Sequence, residues 1–173
     1  KTYAAMVSAV DDGVGNIVSK LKEKGIYENT IIYFLSDNGG RLRGDSDNGE
    51  LRGKKGNLFE GGIRVPFVMQ WPAKVKGGQI YNNPVISLDI FATSKALTSP
   101  NIVSKNELHG VNLIPFLTGE KNHAPHDNLF WRNNLMQNDP NLRVEASAVR
   151  NQKFKFIKNK EAVALYDLKN DIS

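Results

Sequence analysis

The chain contains no cysteine in 173 residues. That excludes a disulfide, a thiolate-held metal and a cysteine nucleophile, and leaves the redox compartment open. It has no apolar run approaching the roughly 20 residues that cross a bilayer as a helix, so no membrane partner is expected. The opening Lys1-Thr2-Tyr3-Ala4 lacks the charged-then-apolar order of a leader peptide and starts inside a helical pattern, as though a segment preceded it. Internal repeats and low-complexity stretches are also missing, and histidine occurs only at 109, 123 and 126. What remains is an ordinary globular composition: 40% hydrophobic and 24% charged residues, enough for one domain or one plus a small appendage. The formal charge of +5 suits an anionic substrate, but many basic proteins have none.

Periodicity divides the chain. Tyr3, Met6, Val10, Val14, Ile17, Val18 and Leu21 recur at three- and four-residue steps, which predicts an amphipathic helix over 2–24. Lys20, Lys22 and Lys24 crowd its last turn, where cations suit the helix dipole, and Gly25 stops it. Ile31 to Leu35 is a β-branched and aromatic run that predicts a strand buried on both faces. Val65 to Trp71 predicts a second such strand, closed by Pro72. Between them, residues 39–62 carry eight glycines and many charges, too long for a connecting turn and of the length that functional or disordered loops have. Ser87 to Leu97 predicts a second helix with Ser87 as N-cap. Residues 98–126 read as irregular apart from a helical turn near Leu113 to Leu117. Strands at 128–132, 143–150, 153–157 and 162–165 follow as a β-meander, with Asn151-Gln152 and Asn159-Lys160 in its turns. The fold class is α/β with a β-rich tail.

Chemistry concentrates in the long loop and at its entrance. Asp37 and Asn38 follow the first strand directly, and ligands of open α/β sheets gather beyond the carboxyl ends of strands. A carboxylate beside an amide oxygen gives two hard donors that suit calcium or magnesium better than zinc. The same residues with Gly39 and Gly40 also fit a plain Asn-Gly turn, and spacing alone does not separate the two. Lys55, between Gly53 and Gly56, is a compact cation fit for a sulfate or phosphate oxygen; taken alone it reads as a solvated loop lysine. Arg41, Arg43, Arg52 and Lys54 share the loop, but aromatic interleaving and a nucleic-acid motif are both lacking, so no nucleic acid is expected. Asp45, Asp47 and Gly49 open like an EF-hand, yet the glycine falls one place early and Gly56 stands where the bidentate glutamate belongs. His123 and His126 flank Pro125, which argues against a helical ligand pair and leaves them as ordinary surface histidines. Trp131, Arg132 and Asn133 suit a sugar rim, although Trp131 is better placed to pack the meander against the rest.

In combination these pieces are far more specific. A strand into Ser36-Asp37-Asn38-Gly39, then Lys55-Gly56, then Glu60-Gly61-Gly62, Arg64-Val65-Pro66 and an apolar strand ending in Trp71-Pro72, resembles the type I sulfatases of the alkaline phosphatase-like superfamily. The stretch from His109-Gly110 through Leu113, Pro115, Leu117 and Gly119 is similar to a common family segment, as are Ala148-Val149-Arg150 and Leu165-Tyr166-Asp167-Leu168. The resemblance implies a partial alkaline phosphatase-like sheet with flanking helices and a small C-terminal antiparallel sheet. Residues 1–126 would be the C-terminal part of the catalytic domain, and 127–173 the small sheet subdomain.

The resemblance further implies that Asp37 and Asn38 are metal ligands, for calcium, and that Lys55 is catalytic, contacting the sulfate and neutralising transition-state charge. Glu60, Gly61, Gly62 and Arg64 would shape and support the loop. The substrate would be a sulfated carbohydrate or an aryl sulfate, and the compartment periplasmic, secreted or lysosomal. The family nucleophile is a formylglycine made from a Cys or Ser in a Cys/Ser-x-Pro-Ser-Arg motif, and that motif is absent from this chain, as are the paired aspartates that complete the metal site. The expected partner is therefore a missing N-terminal half of the same protein, and this chain alone should be inactive. Self-association through uncovered strand edges is a further expectation. Two rival readings stay open: a phosphate or phosphonate ester hydrolase of the same superfamily, and a non-catalytic basic binding module.

Overall fold

Apolar residues at helical spacing give α1, Thr2–Glu23, in the computed structural model, which describes residues 2–41, 46–99, 108–135, 144–160 and 162–172. Gly25 ends the helix as expected, at φ 70°, donating to Lys22 O (3.0 Å) while Ile26 N donates to Leu21 O (3.1 Å). No residue of α1 is buried: its apolar stripe, Tyr3, Met6, Val10 and Ile17, faces outward. A short 3₁₀ turn, Tyr27–Asn29, follows that the sequence reading did not anticipate.

β1 (Ile32–Leu35) and β2 (Phe67–Gln70) form a two-stranded antiparallel ribbon, registered from Ile32↔Gln70 to Leu35↔Phe67. The expectation that both are buried on two faces is corrected: Phe34 is 44% and Val68 57% exposed. Tyr33 and Phe67 turn the other way, with ring centroids 6.3 Å apart, and burial raises the Tyr33 hydroxyl above its ordinary pKa. A β-branched run reports a strand that suits an apolar setting, and this chain covers only one side of it.

The connection between β1 and β2 is not wholly irregular. It contains one helical turn, α2 (Glu60–Ile63), which the Glu-Gly-Gly sequence hides because glycine disfavours helix. α3 spans Leu88–Thr98. Ser87 precedes it but makes no side-chain cap bond. Asp89, in the first turn, instead ties the helix entry to the segment before α4, its carboxylate accepting from Ile86 N (2.9 Å) and from Val111 N (2.9 Å). Thr93 Oγ1 accepts from Leu113 N (3.0 Å), so the buried side of α3 stitches down α4 (Ile114–Leu117), where Leu113, Ile114 and Phe116 are buried.

The meander consists of β3 (Leu129–Leu135), β4 (Val144–Arg150), β5 (Phe154–Asn159) and β6 (Val163–Asp167), paired antiparallel in that order. Its turns rest on asparagine carbonyls: Asn151 Oδ1 accepts from Lys153 N (2.9 Å) and Phe154 N (2.7 Å), and Asn159 Oδ1 from Ala162 N (2.7 Å). One core cluster joins the meander to the long loop: Leu58, Ala148 and Ile157, with Phe59, Ile63, Trp131, Ala146 and Tyr166 against them. Trp131 thus packs the sheet, as its position suggested. Leu58 and Ile157 each contribute about 1.5–3 kcal/mol by their burial there.

Candidate active site

The site begins where β1 runs out. Ser36 N donates to Pro66 O (3.3 Å), the last rung beyond the ribbon, and Ser36 Oγ donates to Asn38 O (2.9 Å), which curls the chain. Gly39 N then donates to Gly62 O (3.0 Å). The two backbones approach so closely that a Cβ at Gly39 would overlap the Gly61 carbonyl, so only glycine fits. One residue on, Gly40 O accepts from Lys55 N (3.0 Å). The structure therefore stitches the Asp37-Asn38 turn to the Lys55 turn. Asn48, which the sequence reading passed over, secures the junction: its Oδ1 accepts from Gly40 N (2.8 Å), and its Nδ2 donates to Gly53 O (2.9 Å) and Gly40 O (3.3 Å). A polar asparagine in a polar loop carries no signal of that role.

Asp37 is exposed and Asn38 half-buried. A hydrogen bond from the Asn38 side chain, reinforced by the charge of Lys55, holds the Asp37 carboxyl below its ordinary pKa, so it stays ionised. Lys55 is exposed, and its Nζ has no hydrogen-bond or ion-pair partner among the described residues. Asp37 and Asn38 lie on the wall of a groove of about 1140 Å³ whose other walls include Asn57, Trp131, Asn133 and Arg150.

Behind the loop sits a charge cluster of the opposite character. Glu60, 3% exposed, accepts from Lys155 Nζ (2.8 Å) and from an Arg150 guanidinium nitrogen (2.7 Å); the Lys155 side chain is 1% exposed. Burial pulls both cations below their ordinary pKa values, and Glu60 counters it. Arg52 stacks on Phe59 (4.5 Å) and Tyr166 (5.7 Å), and its amide donates to Ile172 O (3.3 Å). Asn133 Nδ2 donates to Gly56 O (2.8 Å). Loop and meander are tied at several points.

The remaining candidates part company. Asp47 only closes a local turn onto Gly49 N (2.9 Å), and Asp45 and Arg43 lie outside the described residues. His109 is exposed, and His123 packs edge-on to Phe116. The reading of His126 as a surface histidine is corrected: its side chain is 9% exposed, and Nε2 lies 2.9 and 3.0 Å from the two oxygens of fully buried Asp89. A partner 37 residues away has no local signature. No group of three His, Cys, Asp or Glu that could hold a metal occurs among the described residues. Asp37 and Asn38 fit calcium in donor chemistry but furnish two donors, where the ion takes about six to eight.

An α/β unit with a carboxylate-amide pair at a strand exit, a lysine turn laced to it and a terminal antiparallel sheet has the architecture of the alkaline phosphatase-like hydrolases. Within that class the chain belongs to the sulfatase family: the Sulfatase model matches residues 1–99, and the model of the N-sulphoglucosamine sulphohydrolase C-terminal region matches 53–173. The chain is 38% identical over 130 residues to the uncharacterized sulfatase YdeN of Escherichia coli strain K12, covering 75% of this chain and 23% of that protein. It is 34% identical over 136 residues to the steryl-sulfatase of Mus musculus, covering 74% of this chain and 22% of the relative. Among solved structures, the phosphonate monoester hydrolase of Agrobacterium radiobacter superimposes with a TM-score of 0.72 at 28% identity, over 96% of this chain and 34% of that one. The chain thus spans about a quarter of the length of the curated relatives it matches.

Proposed function

We propose that this chain supplies the C-terminal side of a sulfatase active site, in a protein that hydrolyses a sulfate ester of a carbohydrate or an aryl alcohol. The observation that supports it most is the Lys55 N to Gly40 O hydrogen bond (3.0 Å), which laces the lysine turn to the Asp37-Asn38 turn. Lys55 grips a non-bridging sulfate oxygen and offsets the charge that builds in the transition state. Asp37 and Asn38 hold calcium through a carboxylate and an amide oxygen, and Asn38 keeps Asp37 ionised for that task. When bound, the ion supplies Lewis-acid polarisation and orientation of the sulfate oxygens. The groove wall formed by Asn57 and Trp131 faces the alcohol side of the ester.

The chain has no cysteine and no Ser-x-Pro-Ser-Arg, so the nucleophile comes from outside it and the chain alone turns nothing over. The exposed apolar stripe of α1 and the open ribbon face at Phe34 and Val68 support a further part of the same fold as the partner that covers them. Self-association is the alternative way to cover those faces. The test is hydrolysis of an aryl sulfate by this chain alone, and by this chain mixed with the remaining part of the sulfatase. Activity only in the mixture is the expected result, and activity of the chain alone overturns the proposal. The likeness to a phosphonate monoester hydrolase favours a second reading, hydrolysis of a phosphonate or phosphate ester at the same groups. A preference of the mixture for an aryl phosphonate monoester over the aryl sulfate would establish that reading instead.

A further inference from the structure

Lys55 sits at the tip of a turn that has little to hold it. Gly53 and Gly56 lie on either side at φ 93° and 94°, a region that only glycine enters freely. Its own side chain is exposed, and a lysine stem has many rotamers open to it. A cation on such a turn meets an anion at a fixed point only if the backbone beneath it is fixed. The upstream side is: Lys55 N donates to Gly40 O (3.0 Å), and Asn48 Nδ2 donates to Gly53 O (2.9 Å). Local bonds, Asn57 N to Lys54 O (3.2 Å) and Lys54 N to Asn57 Oδ1 (3.3 Å), only close the turn on itself.

The downstream side is held from far away. Asn133 Nδ2 donates to Gly56 O (2.8 Å) across 77 residues of sequence. Asn133 lies within β3, paired with Ala146 of β4, and β3 is an edge strand of the meander. It shares a strand face with Trp131, which packs against the Leu58, Ala148 and Ile157 core. Asparagine is depleted in strands, and an apolar residue would serve packing better beside that tryptophan. What asparagine adds is an amide donor aimed at the carbonyl next to Lys55.

We propose that Asn133 is a positioning residue: the C-terminal sheet, through this side chain, fixes the backbone from which Lys55 addresses the bound anion. The proposal rests on the assignment of Lys55 to anion binding made above. It gives the meander a task in the reaction without any group of its own touching the reacting atoms.

Two measurements test it. In the 173-residue chain, amide hydrogen exchange at Lys55 is compared between wild type, Asn133→Leu and Asn133→Gln. Exchange at Lys55 is expected to rise at least about tenfold in Asn133→Leu, with β4 and β5 amides unchanged, and to fall back partly in Asn133→Gln, which keeps the donor. An unchanged Lys55 amide overturns the proposal, and so does a rise shared by all amides, which is general loosening. In the complete sulfatase, kcat/KM for an aryl sulfate is measured for Asn133→Leu, Lys55→Ala and the double variant. A fall of about tenfold from Asn133→Leu that vanishes on the Lys55→Ala background is expected. Equal falls on both backgrounds mean that Asn133 acts independently of Lys55, which overturns the proposal. If Lys55→Ala leaves hydrolysis intact, or no ester is hydrolysed, the assignment of Lys55 has failed instead, and the exchange comparison alone decides whether Asn133 fixes the turn.

Discussion

Two groups of charges border one loop and are handled in opposite ways. Glu60 and Lys155 are buried, Arg150 is half-buried, and both cations bond to Glu60 at 2.7–2.8 Å. Asp37 and Lys55 are exposed, and the lysine ammonium has no partner among the described residues. Charges taken from water are costly unless matched, so the first group is a lock in which both cations are committed to Glu60. The second group keeps its hydration and its reach, and its members are free to exchange water for an anion and a cation.

Breaking the lock should have the largest effect. Glu60→Ala leaves buried Lys155 and half-buried Arg150 without their shared carboxylate and is expected to destabilise the chain by about 3–5 kcal/mol in urea unfolding. Pairing it with Lys155→Met should restore part of that loss, because one of the two uncompensated charges goes with it. Next in size, Lys55→Ala in the complete sulfatase should lower kcat by about 10²–10³, some 2.7–4 kcal/mol, while leaving the thermal midpoint within about 1 °C. A large fall in stability from that change would erase the distinction between the two groups.

Smaller still is the pH response of the lock. The folded pKa of Lys155 lies below its ordinary value of 10.5, chiefly through burial. Between those two values the unfolded chain holds the extra proton, so this group makes stability rise with pH across that window. Below the folded value its contribution is a constant cost. The rise should be missing from Lys155→Met when the two stability–pH curves are compared. The smallest effect belongs to the rim: with two protein donors, the proposed calcium should bind this chain weakly, and an ion concentration equal to Kd would add only about 0.4 kcal/mol. Asp37→Ala should remove even that shift in a calcium titration of the thermal midpoint.

The sequence made some of this visible and hid the rest for a physical reason. Helix α1, the four meander strands and the loop that joins β1 to β2 follow from periodicity and turn residues, which act over a few positions. Asp37, Asn38 and Lys55 stood out because their neighbours are glycines and strand ends. What fixes them did not. Glu60 finds Arg150 and Lys155 across 90 and 95 residues, Gly56 finds Asn133 across 77, and Asp89 finds His126 across 37. No local pattern announces a partner at that range. Ser87 misled for a related reason: its position suits a cap, but Asp89, two residues on, binds the backbone of both Ile86 and Val111. The burial of β1 was misjudged because β-branched residues record what a strand tolerates, not which neighbours arrive to cover it.

Helix α1 has a consequence for how assembly is watched. It runs 22 residues with no buried side chain, and Gly13 and Gly15 each cost it about 1 kcal/mol relative to alanine. Isolated helices are marginal in water, so most of the stability of α1 must be lent by whatever lies on its apolar stripe. Its amides should then be among the fastest to exchange while uncovered and should slow once the stripe is occupied. The far-ultraviolet ellipticity of this one helix is accordingly a built-in gauge: it reads out the fraction of chains that have found their complement, without a label and before any ester is cleaved.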